Sequence, residues 1–196
     1  MKFIATTILA VFLATAGYSQ GSIYTIDYTM GFATGDMGKY IGSTSFRGFT
    51  FEGRAFVTDN VTVGGLFSWS TFYEEQRGAT YEQGSLTVTG NQYRYINAFP
   101  LLAQAHYYLG EDEYSPRVYL GGGLGAYKIN KRTEVGTWAL EERVWHFGVS
   151  PEVGILLPVS MTTQFNISMR YNYALKTNSA PAYSWFGLSV GFAWGD

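Results

Sequence analysis

The residues with the clearest chemical potential are few. There are two histidines, His106 and His146, and no cysteine, so thiol catalysis, disulfides and cysteine-based zinc sites are excluded. Hydrolytic chemistry would need a histidine within hydrogen-bond reach of a hydroxyl nucleophile. Ser150 falls on the same phase as His146 but four residues along, roughly 13 Å at about 3.3 Å per residue in an extended chain. Neither histidine sits in an HExxH pattern or beside an acidic ligand cluster, so a metal site is not expected. The acidic run Glu111-Asp112-Glu113 reads as solvated turn charge rather than a calcium loop. No catalytic residue, cofactor or metal ligand is assigned, and the chain is expected not to be an enzyme.

A second group of charges is more informative. Asp27, Glu52 and Glu152 nearly balance Arg54, Arg94 and Arg170, and each lies among Gly, Ser, Ala, Asn and Gln on one phase of an alternating pattern. Buried charges are tolerated when they pair. These six are therefore expected to form a polar network inside a closed structure.

Elements able to hold such a network recur along the whole chain after residue 20. Alternation with a period of two, the mark of strands with unlike faces, appears in eight segments. Five are predicted at 22–34, 47–58, 61–74, 91–109 and 117–129. The sixth runs through Arg143, Trp145, Phe147 and Val149 to Val159, opposite His146, Gly148, Ser150, Glu152 and Gly154. In the seventh, Phe165 to Leu175 alternate with Gln164, Asn166, Ser168, Arg170 and Asn172; in the eighth, Phe186 to Trp194 alternate with small residues. Connections are short at Asp59-Asn60, 110–116 and 160–162, and long at 35–46, 75–90, 130–142 and 176–184. Pro100 and Pro151 each remove a ladder hydrogen bond, so bulges are expected there. The run Gly121-Gly122-Gly123 has no following helix and reads as room for curvature or close packing.

Composition decides which face looks outward. Aromatics make up 18% of the chain and charged residues only 14%, against about 25% charged in ordinary soluble domains. A soluble fold would carry Lys and Glu on its polar face. Here the polar face suits the cramped interior of an eight-stranded barrel, with the greasy face toward lipid. Trp69, Tyr73, Tyr93, Tyr95, Trp145, Tyr171 and Tyr173 fall toward the long-loop ends, and Tyr24, Tyr107 and Trp194 toward the short-turn ends. They are expected to form the two aromatic girdles at the membrane interfaces. Residues 1–20, with Lys2, an apolar run from Phe3 to Ala14 and small residues after it, read as a cleavable signal peptide; residues 21–196 read as one barrel domain. The formal charge of −2 offers no basic face for nucleic acid.

The signal peptide, PLLAQAHYYLG followed by RVYLGGGLGAY, HFGVSPEVGILLPVS with FNISMRYNYAL, and the closing SWFGLSVGFAW resemble the bacterial outer-membrane β-barrel family, with its small X-type and W-type proteins. The resemblance covers nearly the whole mature chain. It implies an all-β, eight-stranded antiparallel up-and-down transmembrane barrel in the bacterial outer membrane, in contact with lipid and lipopolysaccharide. It also implies that the barrel-assembly machinery reads the set Phe186, Leu188, Val190, Phe192 and Trp194, although Gly195 and Asp196 follow the final aromatic. The serine deacylases of this family would want a serine two positions after a histidine, where this chain has Tyr108 and Gly148. The expected function is a structural or surface-interaction role with a largely plugged polar lumen. Ile96, Phe72 and Trp185, read as inner residues near the top, keep open a narrow channel or a transporter of small apolar solutes. Loops 75–90 and 130–142 are candidate binding surfaces for host, phage or lipopolysaccharide. Lys128, Lys131, Arg132 and Arg143 sit near one of them, offset by Glu134, Glu141 and Glu142.

Overall fold

The computed structural model describes residues 21–83, 86–110, 115–136 and 138–195. The segment read as a signal peptide and the acidic turn at 111–113 lie outside the described residues. The eight alternating segments form β1 (Ser22–Thr34), β2 (Gly48–Thr58), β3 (Val61–Gln83), β4 (Leu86–Leu109), β5 (Arg117–Val135), β6 (Trp138–Pro158), β7 (Thr163–Ala174) and β8 (Tyr183–Gly195). They pair in chain order into a closed antiparallel barrel. Closure is made by β1 and β8, in register from Ile23 opposite Gly195 to Thr34 opposite Ser184.

Two phases run through every wall. On β6, Trp145, Phe147, Val149 and Val153 are exposed while His146, Ser150 and Glu152 are buried. Outward-facing Leu101, Leu124, Phe147 and Ile26 are 59%, 55%, 57% and 52% exposed. Side chains this apolar form a continuous belt around a closed wall, which a membrane covers and water does not. The barrel spans the bilayer with its polar phase inside.

The predicted bulges at the two prolines are corrected. Pairing of β3 with β4 skips Ser68/Pro100 and Trp69/Phe99, then resumes in the same register from Ser70 opposite Ala98. Pairing of β6 with β7 likewise skips Ser150/Asn172 and Pro151/Tyr171 and resumes at Glu152 opposite Arg170. Each proline keeps full pairing on its other side, with Tyr127 and Gly122 respectively. The missing N–H therefore opens a nick in one ladder without inserting a residue. Register shifts occur instead between Phe56 and Thr58 and between Gln76 and Ala79.

The regions predicted as loops 75–90 and 130–142 are also corrected, because the hairpins β3–β4 and β5–β6 continue as ladder to Gln83 opposite Leu86 and Val135 opposite Trp138. The β-branched run Thr87-Val88-Thr89 is strand-forming sequence, which the loop reading passed over. Residues 35–46 hold a short helix, α1 (Gly35–Tyr40), whose Met37 and the following Ile41 are fully buried in the barrel mouth. Their i, i+4 spacing puts both on one face.

Candidate functional site

Alternation on β1, β2, β6 and β7 aims Asp27, Glu52, Arg54, Glu152 and Arg170 at one tier of the lumen, and all five are buried. Arg54 donates through Nε to Glu52 Oε2 at 2.9 Å and through Nη2 to the same oxygen. Arg170 Nη2 bridges the two glutamates, reaching Glu152 Oε2 at 2.6 Å and also Glu52 Oε1. Arg54 Nη2 lies 3.9 Å from Glu152 Oε1. Asp27 accepts from Asn166 Nδ2 at 3.1 Å on both oxygens. Two guanidinium groups thus serve a tier that carries three acidic side chains.

Arg94 stands apart from the other five. It lies near the opposite mouth, donating to Tyr40 O at 3.0 Å and to Gln92 Oε1 at 3.0 Å, and holds the end of α1. Its place on β4 is opposite Glu74 and Thr133, well above the tier, because β4 extends beyond the barrel wall.

The sequence reading missed the tyrosines that tie the tier together. Tyr108 OH accepts from Arg54 Nη1 at 2.9 Å, and Tyr119 OH donates to Asn166 Oδ1 at 2.9 Å with Glu152 Oε1 at 3.3 Å. The Arg54 guanidinium lies over the Tyr119 ring, 4.6 Å from its centroid. For Tyr119, and for the nearby His106, a glycine opposite the ring was the available signal. A Cβ on Gly154 would stand 2.3 Å from the Tyr119 ring, and one on Gly121 would stand 2.1 Å from the His106 ring. These glycines are small because a ring from the facing strand occupies their side-chain space.

His106 Nε2 is 3.3 Å from Glu152 Oε2, and His146 donates Nδ1–H to Leu175 O at 2.8 Å. Neither ring bonds a serine among the described residues. Single ligand atoms of Glu52, His106 and Glu152 lie within 4.8 Å of one another, the one grouping there that could face a metal ion. Both carboxylates already receive Arg54 or Arg170, so a dication would enter beside two fixed positive charges. The donor set suits an ion-pair network better than a metal.

Above this tier the lumen turns apolar. Phe72, Ile96 and Trp185 are buried there with Met37, Ile41 and Tyr127, and Trp185 meets Phe72 and Tyr127 edge-on at 6.1 and 5.8 Å. A latch closes over them. The Tyr40 ring lies 4.9 Å from the Arg94 guanidinium and 4.5 Å from Lys131 Nζ, and its hydroxyl bonds Thr133. Gly42 and Ser43 N–H donate to Glu74 Oε2 at 2.5 and 3.2 Å. Burial pushes the Glu74 carboxyl up, but bonds from Gln76, Gly42 and Ser43, with Arg94 nearby, outweigh it and hold it below the usual range.

Outside, Trp69, Tyr107, Trp145 and Trp194 are exposed, while Tyr73, Tyr93, Tyr95 and Tyr171 are half-buried. Several pair across strands: Tyr73 with Tyr95 at 5.0 Å, Tyr171 with Phe186 at 4.8 Å and Tyr24 with Trp194 at 6.4 Å. Of the outer cations, Arg132 pairs with Glu134 at 2.5 Å, Arg143 with Glu141 at 2.8 Å, and Lys128 lies over the Trp145 ring.

No protein-family model matches the chain, and no curated protein matches it in sequence. Solved structures do. The attachment invasion locus protein Ail of Yersinia pestis superposes with a TM-score of 0.57 at 16% identity, over 90% of this chain and 98% of that one. The outer membrane protein OprG of Pseudomonas aeruginosa gives 0.58 at 13%, over 91% and 96%. Neisserial surface protein A gives 0.55 at 14%, over 89% and 96%. At such identities the likeness is one of architecture: the chain has the closed, eight-stranded antiparallel fold of small bacterial outer-membrane β-barrels.

Proposed function

We propose that this chain is an integral outer-membrane barrel with a plugged lumen, and that it acts through the surface it raises above the membrane. The height of its hairpins carries the reading. Strands β3 and β4 have 23 and 24 residues and β5 and β6 have 19 and 21, whereas β1, β2, β7 and β8 have 11 to 13. Crossing takes about 9–11 residues. At about 3.3 Å per residue and about 40° of tilt, the surplus in β3–β4 is on the order of 30 Å of ladder outside the bilayer. The filled ion-pair tier and the apolar tier beneath α1 support a plug. Lipid and lipopolysaccharide would surround the wall, and the barrel-assembly machinery would insert it.

The test has two arms. Folded protein in planar bilayers should give no unitary conductance above a detergent control, and stable steps would refute the plug. Cells displaying the full chain should adhere to a host-cell or lipopolysaccharide-coated surface more than cells displaying a chain shortened at residues 79–89. Equal adhesion would refute the surface role.

A transporter of small apolar solutes is the second reading, favoured by the apolar upper tier and by a depression of about 270 Å³ outside the Pro151 nick, bordered by Val153, Met169, Tyr171 and Phe186. It requires α1 to leave the mouth. Liposomes bearing the protein should then take up an apolar tracer faster than empty ones, and a Tyr40→Ala variant faster still.

A further inference from the structure

At the short-turn mouth, separated from the ion-pair tier by the Tyr108 ring, a cavity of about 90 Å³ is lined by polar Ser22, Thr162, Arg117 and Gln164 and by apolar Ile23, Phe56 and Trp194 among others. Arg117 is 4% exposed. Its guanidinium lies against two neighbouring rings, 4.8 Å from the Tyr108 centroid and 5.8 Å from that of Phe56, which are themselves 5.6 Å apart. Nη2 donates to Asp59 O at 3.2 Å, and Nε has no hydrogen-bond partner. Among the described residues no carboxylate pairs with it, in contrast to Arg54 and Arg170. Gln164 brings a second unsatisfied atom, its buried Oε1.

A buried guanidinium without a counter-charge is costly and calls for one. The two rings on one side and the bond to Asp59 O restrict the fork, and a planar fork matches an oxyanion. The apolar part of the lining, Ile23, Phe56 and Trp194, would take a short hydrocarbon stem. We infer that this mouth is a binding site for a small oxyanion on a short apolar stem, held by Arg117 with Gln164 beside it.

The experiment uses the full chain refolded in non-ionic micelles. Butyrate and inorganic phosphate are titrated separately, following the Arg117 Nε–H and Trp194 indole NMR resonances and the urea midpoint. Butyrate should shift both resonances saturably and raise the midpoint, because a ligand that binds only the folded state stabilises it. Saturation by phosphate instead would assign the group to phosphate and keep the site. Arg117→Met should weaken binding by about 10- to 100-fold, the worth of a charge-assisted bond, while unheated gel mobility shows the barrel still closed. Arg117→Lys should recover part of it. No saturable shift with either anion, or the same shift in Arg117→Met, would overturn the inference. A chain with Glu111, Asp112 and Glu113 changed to amides and another with Asp196→Asn separate the chain's own acidic residues as sources of counter-charge. If butyrate binds only one of these variants and not the unaltered chain, the acidic residue removed is the natural occupant and the proposed ligand falls.

Discussion

Replacing Arg170 with methionine removes the guanidinium that hydrogen-bonds both lumen glutamates, and leaves Arg54, which bonds Glu52 and stands 3.9 Å from Glu152. The side chains of Glu52 and Glu152 are fully buried and that of Arg170 is 4% exposed, so the two carboxylates would be left to share Arg54. Stranding a buried charge in this way costs about 3–5 kcal/mol, a large part of the roughly 5–15 kcal/mol that holds a domain folded. Glu152→Gln alone leaves Arg170 on Glu52 and loses a charge-assisted bond, about 1.5–3 kcal/mol. If the groups act as one network, the double variant should lose less than the sum of the singles by about 1.5 kcal/mol or more. Urea titration in micelles, followed by tryptophan fluorescence and by unheated gel mobility, measures all three. Arg94→Met is the control: it should cost about 1 kcal/mol and show no coupling to Glu152→Gln, since Arg94 holds α1 instead. Additivity of Arg170→Met and Glu152→Gln within about 0.5 kcal/mol would refute the network and leave separately solvated charges.

Other expectations follow from the wall and the mouth. Leu124→Arg places a charge on the lipid face and should cost about 2–4 kcal/mol if it lies near the bilayer midplane, read as a lower urea midpoint in lipid vesicles. Gly154→Val drives a side chain into the Tyr119 ring and should cost about 1–3 kcal/mol, with a Tyr119→Ala background relieving much of it; no relief in that background would count against the ring occupying the glycine's space. Glu74 has its carboxyl held below its ordinary value, so its grip on Gly42 and Ser43 is fully present above that ordinary value and is lost as pH falls through the lowered one. The Gly42 amide proton should therefore titrate at acid pH, and Glu74→Gln should abolish the titration.

Strand number, phase and pairing order were legible because a two-residue repeat with greasy and small faces has few physical readings at this length. The tier of Asp27, Glu52, Arg54, Glu152 and Arg170 was readable from the same phase. Three things were not. Phase gives a direction but no height, so Arg94 was grouped with charges that lie far below it. Proline announces a missing donor, but whether the ladder bulges or is nicked depends on the neighbouring strand's freedom to slip. Tyr108 and Tyr119 join the tier from β4 and β5; Gly154 on the facing strand hints at how far the Tyr119 ring extends, and no glycine marks Tyr108, which lies opposite Tyr119 itself.

The pairing order also says how the molecule must be put together. Seven of the eight ladders join strands adjacent in the chain and can zip locally, each from its own turn. The eighth, β1 with β8, is a seam that waits for the whole chain, and until it closes two bare edges offer themselves to any passing strand. A chain cut before Tyr183 would keep every hairpin but the last and still have no way to finish, so its fate should be to stick to its own copies rather than to form a smaller barrel.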